Sequence, residues 1–350
     1  MNETGGLELR DASIPFGSRE GLRGLSLQLA PGERLALVGP SGVGKTSVLR
    51  AIAGLQPLTA GLVIVRGRDV TSLAPERREV VYLHQTPSLF PHLSVLDNVG
   101  FPLEVRGVAR RDARVRASEL LVQVQLGDLS GRAPATLSGG QRHRVALARA
   151  LAANPAALLL DEPFAALDPA LRSDVRDSTL AILTSDRVPS VIVVTHDVDE
   201  AALIADRVAV LIDGVIAQIA EPATLMAQPA SLAVARFLGI PNIVVGERDG
   251  AGRFRSILGC LPGSGPAGMV AAVFRPDVLR ATRAVSTPAL GRVLSVQHRV
   301  AGTLVCVEAG GTELYAVPES DTELKAGDEV ELQVRAECLH FVPTVQPLGQ

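Results

Sequence analysis

Gly39-Pro40-Ser41-Gly42-Val43-Gly44-Lys45-Thr46 is the stretch on which the fold turns. Gly39, Gly42 and Gly44 let the backbone wrap closely around phosphates and aim N–H groups at them. Lys45 can reach the outer phosphates of a nucleotide, and the Thr46 hydroxyl can ligate Mg²⁺. Ser41 and Ser47 fall in the same binding segment. Such a loop needs a strand before it and a helix after it, so that the helix dipole adds to the N–H groups. Arg34–Val38 reads as that strand, and Lys45–Ala53 as a helix stopping at Gly54.

Working outward, Leu25, Leu27 and Leu29 alternate with polar residues before a turn at Pro31-Gly32. Ile64–Arg66 and Val80–Leu83 read as further strands. From Pro87 to Asn154 the pattern is helical. Ala109–Gln125 carries an apolar stripe at Val115, Leu120, Leu121 and Val124, and a later helix carries Val145, Ala146, Leu147, Ala150 and Leu151. Strands return at Ala157–Leu160, Val191–Val194 and Val208–Ile212, with helical segments between them. The alternation predicts an α/β fold: a mostly parallel sheet with helices on both faces. Beyond Glu221 come helices and a linker at Gly239–Asn242, then β-rich sequence. Val330, Leu332 and Val334 alternate with polar residues, and Gly310-Gly311 predicts a hairpin. The domains expected are 1–240, with a helical part at about 87–154, and a small β-domain at 243–350.

The chain has 350 residues, enough for two domains. It is 47% hydrophobic but 3% aromatic, so its cores are built from Ala, Leu and Val. No apolar run reaches the roughly 18 residues that span a bilayer, and Met1–Gly6 has no secretory pattern. Cys260, Cys306 and Cys338 lack metal-ligand spacing and read as small buried hydrophobes in a reducing compartment. A net charge of −3 without a long basic run argues against a nucleic-acid partner.

Two further motifs accompany the loop. Leu158–Leu160 is an apolar strand ending in Asp161 and Glu162. Asp161 is placed to hold Mg²⁺ through water, and Glu162 to activate an attacking water as general base. Between loop and carboxylates lies Leu137-Ser138-Gly139-Gly140-Gln141. Ser138 and two glycines at a helix start offer a hydroxyl, free N–H groups and a dipole, a second anion site in a chain that already has one.

The order of these three motifs resembles the ATPase subunit of an ABC transporter over about the first two thirds of the chain. The resemblance implies ATP as substrate and a head-to-tail homodimer. In it, Ser138, Gly139, Gly140 and Gln141 cover the γ-phosphate of ATP bound by the opposite subunit. It also implies that His196 contacts the γ-phosphate, that Gln85 joins Mg²⁺ and the water to the helical insert, and that Asp168 touches the partner. Phe16 is similar to the aromatic that stacks on adenine. Two positions depart from the family: Ala165 stands where Ser is common, and His84 where an aromatic or apolar residue precedes the glutamine. Ser88–Ser94 is apolar enough to line a docking groove for separate integral-membrane permease subunits, or to pack inside the insert. The C-terminal part resembles the OB/TOBE-like β-barrel of importer ATPases fed by a solute-binding protein, a domain that mediates pairing and regulation. These expectations place the chain at the cytoplasmic face of the inner membrane, importing ferric iron, a polyamine or a small oxyanion. An export subunit, an ABC ATPase without a membrane partner, and a nucleotide-dependent regulatory module are the alternatives.

Overall fold

The structure, a computed structural model, describes residues 6–16, 19–86, 88–165, 168–184, 189–263, 265, 267–284, 290–299, 302–319 and 323–344. Readings that touch residues 1–5, Pro87, Ala166, Leu167 and 345–350 fall outside them. The chain divides into two compact units, Met1–Pro222 and Ala223–Gln350.

Along the first unit run β1 (Leu7–Phe16), β2 (Arg19–Leu29), β3 (Arg34–Val38), α1 (Lys45–Ala53), β4 (Ala60–Val65), β5 (Arg68–Asp69), β6 (Val80–Leu83) and α2 (Val95–Val105). Then follow α3 (Arg110–Gln123), α4 (Gly139–Ala152), β7 (Ala157–Asp161), α5 (Pro169–Leu183), β8 (Ser190–Val194), α6 (Val198–Ile204), β9 (Arg207–Ile212) and β10 (Val215–Ala220). The main sheet has the order β10-β9-β3-β8-β7-β6, parallel except for β10. A separate antiparallel sheet has the order β2-β1-β4-β5.

The near-continuous apolar strands are what a sheet covered on both faces requires. Successive side chains point to opposite faces. Leu159, Ile192, Val194 and Leu211 pack with Val48, Leu49 and Ile52 of α1. Leu158, Leu160, Val191 and Val193 pack with Val145 and Leu147 of α4 and Val175 of α5. The order β3-β8-β7-β6 sets four parallel strands side by side, so their carboxyl ends share one edge. Open α/β sheets bind ligands at that edge.

The helical part corrects one expectation. Val115 is exposed, and the buried positions of α3 are Ala113, Ala117 and Leu121, continued by Val124. The close approach of α2 decides this, because a Cβ built on Gly100 would sit 3.8 Å from the Ala117 Cβ. Small side chains at four-residue spacing form the seam, and the larger Val115 lies off it.

The second unit contains α7 (Pro222–Ala227), α8 (Leu232–Phe237), β11 (Asn242–Arg248), β12 (Arg253–Ser256), β13 (Gly259–Pro262), β14 (Gly268–Phe274) and β15 (Leu279–Arg283). It ends with β16 (Gly291–Arg299), β17 (Gly302–Ala309), β18 (Thr312–Pro318), β19 (Glu329–Val334) and β20 (His340–Pro343). The order β13-β12-β11-β14-β20 forms a sheet, and β15-β18-β17-β16-β19 closes into a barrel. The expected C-terminal β-barrel is present, and closure removes the unpaired edges of its strands. Gly310 and Gly311, at φ 54° and 78°, make the hairpin turn between β17 and β18. Asn242 is fully buried, its carboxamide donating to Tyr315 O and accepting from Tyr315 N at 2.8 and 2.7 Å. One buried amide thus ties the sheet to the barrel. Of the cysteines only Cys306 is buried; Cys260, on the sheet-edge strand β13, and Cys338, in a single helical turn, are exposed.

Candidate nucleotide-hydrolysis site

The phosphate loop leaves β3 and enters α1 under tight steric limits. A Cβ at Gly39 would lie 2.2 Å from Leu211 O, so β9 excludes any side chain there. Gly44 has φ 110°, and a Cβ on it would lie 2.2 Å from the Phe16 Cζ. Glycine is required on both counts. The same contact sets the half-buried Phe16 ring, from the end of β1, against the loop. Lys45 is buried and its Nζ donates to Gly39 O at 2.8 Å and Pro40 O at 3.0 Å, stapling the loop across its base. Burial lowers the Lys45 pKa, while Glu162 and Asp161 act to raise it. The first turn of α1, which carries Thr46 and Ser47, has no acidic residue to neutralise its dipole. Ser41 is exposed on the loop.

At the end of β7, Asp161 is buried with both carboxylate oxygens engaged. Thr46 Oγ1 donates to Oδ1 at 2.9 Å and Tyr82 OH to Oδ2 at 2.6 Å. Burial, then the bond to Asp161, pushes the Tyr82 pKa up to about 12. The donors at Thr46 and Asp161 are hard oxygens, the chemistry that suits Mg²⁺. Among the described residues no group of three or more His, Cys, Asp and Glu could hold a metal. The set therefore fits an ion shared with substrate phosphates and water rather than caged by protein.

Glu162 has φ 45°, a left-handed conformation costing a non-glycine residue about 1 kcal/mol. Its N–H donates to Val194 O at 2.9 Å, so β8 helps hold the turn. His196 Nδ1 lies 3.6 Å from Glu162 Oε2, with both side chains reaching solvent. Behind His196, the buried Thr195 hydroxyl donates to Glu200 and accepts from the Asp197 N–H at 3.1 Å. Asp197 caps α6 by accepting from the Glu200 N–H at 3.0 Å. Burial raises the Glu200 pKa. This knot of hydrogen bonds fixes the strand-to-helix turn that carries His196.

The structure therefore joins the loop, Asp161, Glu162 and His196 through direct contacts. Gln85 is exposed just past the end of β6, and exposed Asp168 precedes α5. Ser138 caps α4 in a reciprocal box: the Gln141 N–H donates to Ser138 Oγ at 3.3 Å, and the Ser138 N–H to Gln141 Oε1 at 2.9 Å. Gly140 is buried against α5, where a Cβ would meet Val175 Cγ2 at 2.7 Å. Among the described residues, no hydrogen bond or ion pair links Leu137–Gln141 to Gly39–Thr46.

Sequence reading missed Tyr82, Thr195 and Glu200. Tyr82 stands among apolar residues of a short strand and reads as core, while Thr195 and Glu200 resemble ordinary residues at a helix entry. The five-residue spacing of the latter two was their only local signal.

A family model described as ABC transporter matches residues 22–165. The Fe(3+) ions import ATP-binding protein of Rhizobium meliloti (strain 1021) is 44% identical over 240 residues, 69% of this chain and 68% of that one. The sulfate/thiosulfate import ATP-binding protein of Thermosynechococcus vestitus is 42% identical over 239 residues, 68% of this chain and 71% of that one. The spermidine/putrescine import ATP-binding protein of Pseudomonas aeruginosa is 35% identical over 359 aligned positions, 96% of this chain and 98% of that one.

Proposed function

The chain belongs to the ABC transporter ATP-binding family, and on that premise we propose that it hydrolyses ATP to drive solute import through separate membrane permease subunits. The observation that carries the catalytic reading is the pairing of Thr46 with Asp161 and of His196 with Glu162 beside a phosphate loop. In this reading the loop N–H groups, Lys45 and Ser41, Gly42, Thr46 and Ser47 hold the phosphates. Phe16 offers its ring to adenine. Glu162 takes the proton from the water that attacks the terminal phosphate, while His196 orients Glu162 and contacts that phosphate. Mg²⁺, when bound, neutralises phosphate charge, and Thr46, Asp161 and Gln85 are the side chains that would hold it.

Ser138–Gln141 would bind the γ-phosphate of ATP held by a second copy, with Asp168 beside the interface. ATP would then close the dimer, and its hydrolysis would open it. Gln85 is the hinge through which the helical part, about 87–154, would pass this motion to the permease. Support comes from the built surface beyond it. Buried Asn98 clamps this segment, accepting from the Phe90 N–H at 2.8 Å and donating to Phe90, Leu93 and Ser94 carbonyls at 3.0–3.1 Å. Phe90 packs against Phe101 with the rings tilted at 55° and centroids 4.7 Å apart, under the Arg149 guanidinium at 5.0 Å. Phe101 and Val105 stay exposed beside it.

The relatives' names support ferric iron, a polyamine or an oxyanion as cargo; a solute-binding protein would deliver it to the permease. No helix among the described residues is long and apolar enough to cross a membrane. We place the chain peripherally on the cytoplasmic face, with 1–240 as the ATPase domain and 243–350 as a regulatory domain. Mild cross-linking in native membranes, followed by identification of what is captured, tests the reading. A permease with an associated solute-binding protein is expected; soluble partners alone would overturn import.

A further inference from the structure

Tyr82 belongs to none of the motifs, yet among the described residues its hydroxyl makes one of the two side-chain bonds to Asp161. Strand geometry explains how. Tyr82 pairs in register with Leu159 of β7, and Asp161 is two residues further on, so Leu159 and Asp161 share a face. A phenol is long enough to cross that diagonal with a donor at its tip. Serine or threonine would fall short, and phenylalanine or methionine would arrive without a hydrogen to give. The phenol hydrogen is the donor, and the carboxylate oxygen accepts it at 2.6 Å.

We propose that Tyr82 is a positioning residue for the metal-binding carboxylate: by holding Oδ2 it fixes the rotation of Asp161 and keeps Oδ1 turned to Thr46. The proposal rests on the reading of Asp161 as a Mg²⁺ ligand. Outer partners of this kind orient a ligand before the ion arrives, so less is lost in ordering it. The arrangement also connects the ion site to the hinge. The His84 ring meets Tyr82 edge-on, centroids 4.4 Å apart and planes at 68°, and His84 immediately precedes Gln85. A displacement at Gln85 thereby bears on Asp161 through one ring contact and one hydrogen bond. Packing alone would ask only for the ring, which does sit against the apolar cluster between α1 and the main sheet. The hydroxyl bond is the part that packing leaves unexplained.

Tyr82→Phe in the full chain separates the two roles. Mn²⁺ affinity is read by electron paramagnetic resonance with a non-hydrolysable ATP analogue, and analogue binding without metal is read in EDTA. The expected result is Mn²⁺ binding weakened about tenfold, the low end for loss of an outer partner, with metal-free binding unchanged. Hydrolysis should need correspondingly more Mg²⁺ for half-saturation. Tyr82→Met, which refills the space without a hydroxyl, should repeat the pattern. Adding Tyr82→Phe to Asp161→Asn should cost no further Mn²⁺ affinity. Unchanged Mn²⁺ affinity, or equal losses with and without metal, would overturn the proposal. Asp161→Asn with undiminished Mn²⁺ affinity would instead sink the underlying metal-site reading.

Discussion

His143 shows how much one residue can carry unseen. It lies on α4 two positions past Gln141, fully enclosed, its ring 5.8 Å from Phe164 and its Nε2 without a hydrogen-bond partner among the described residues. Burial pushes its pKa down from 6.5 to about 4. Above pH 6.5 the imidazole is neutral in folded and unfolded chains alike and adds no pH dependence. Between 6.5 and 4 the unfolded chain takes up a proton that the folded chain refuses, so stability falls as pH falls. The whole loss is on the order of 3 kcal/mol. We predict that His143→Gln flattens the decline in thermal midpoint between pH 7 and pH 5. Parallel declines in both proteins would show that acid sensitivity arises elsewhere. Local reading could not find this, because a histidine in a polar helix start looks solvated until the chain folds back and sets Phe164 against it.

At the scale of elements, α1 is anchored at both ends. Its start is the phosphate loop; its end is capped by Gly54 at φ 81° and by a buried arginine from elsewhere in the chain. Arg78 donates to Ala51 O and Ile52 O at 2.9 and 3.1 Å, and to Thr71 O and Leu73 O at 2.6 and 2.9 Å. A cation at a helix C-terminus offsets the dipole and satisfies carbonyls the helix leaves open. Arg78→Met should cost about 3 kcal/mol or more, since several buried acceptors lose a charged donor together. Equilibrium unfolding in denaturant measures this, and a change below about 1 kcal/mol would mean that water replaces the guanidinium. The bounds of α1 were readable from Lys45 and Gly54. The anchor was not, since Arg78 sits in the charged run Glu76–Glu79, which reads as solvated surface.

For the whole molecule, two anion-ready helix starts on one chain call for explanation. α1 and α4 both begin with glycines and free N–H groups, and α4 begins at an exposed serine cap. A head-to-tail pair of chains would give each bound ATP one start from either copy. Glu162→Gln should therefore slow turnover by about a hundredfold or more and accumulate as a dimer with ATP and Mg²⁺. Adding Lys45→Ala should return it to monomer. Light scattering at high protein concentration reports both, and a monomeric Glu162→Gln protein under those conditions would count against the head-to-tail pair.

The sequence alone determined the features that depend on neighbours along the chain. These are the glycine loop between Val38 and Lys45, the helix ending at Gly54, the strand ending in Asp161 and Glu162, and the turn at Gly310-Gly311. Each is set by local backbone freedom, capping or side-chain periodicity, which short spacing records. Tertiary structure decided which side chains meet across long separations. It brought Thr46 and Tyr82 to the two oxygens of Asp161, exposed Cys260 and Cys338, and gave the α3 seam to Ala113 and Ala117 rather than Val115. Those outcomes follow from strand order and the distance at which helices approach, and both depend on the packing of the whole unit.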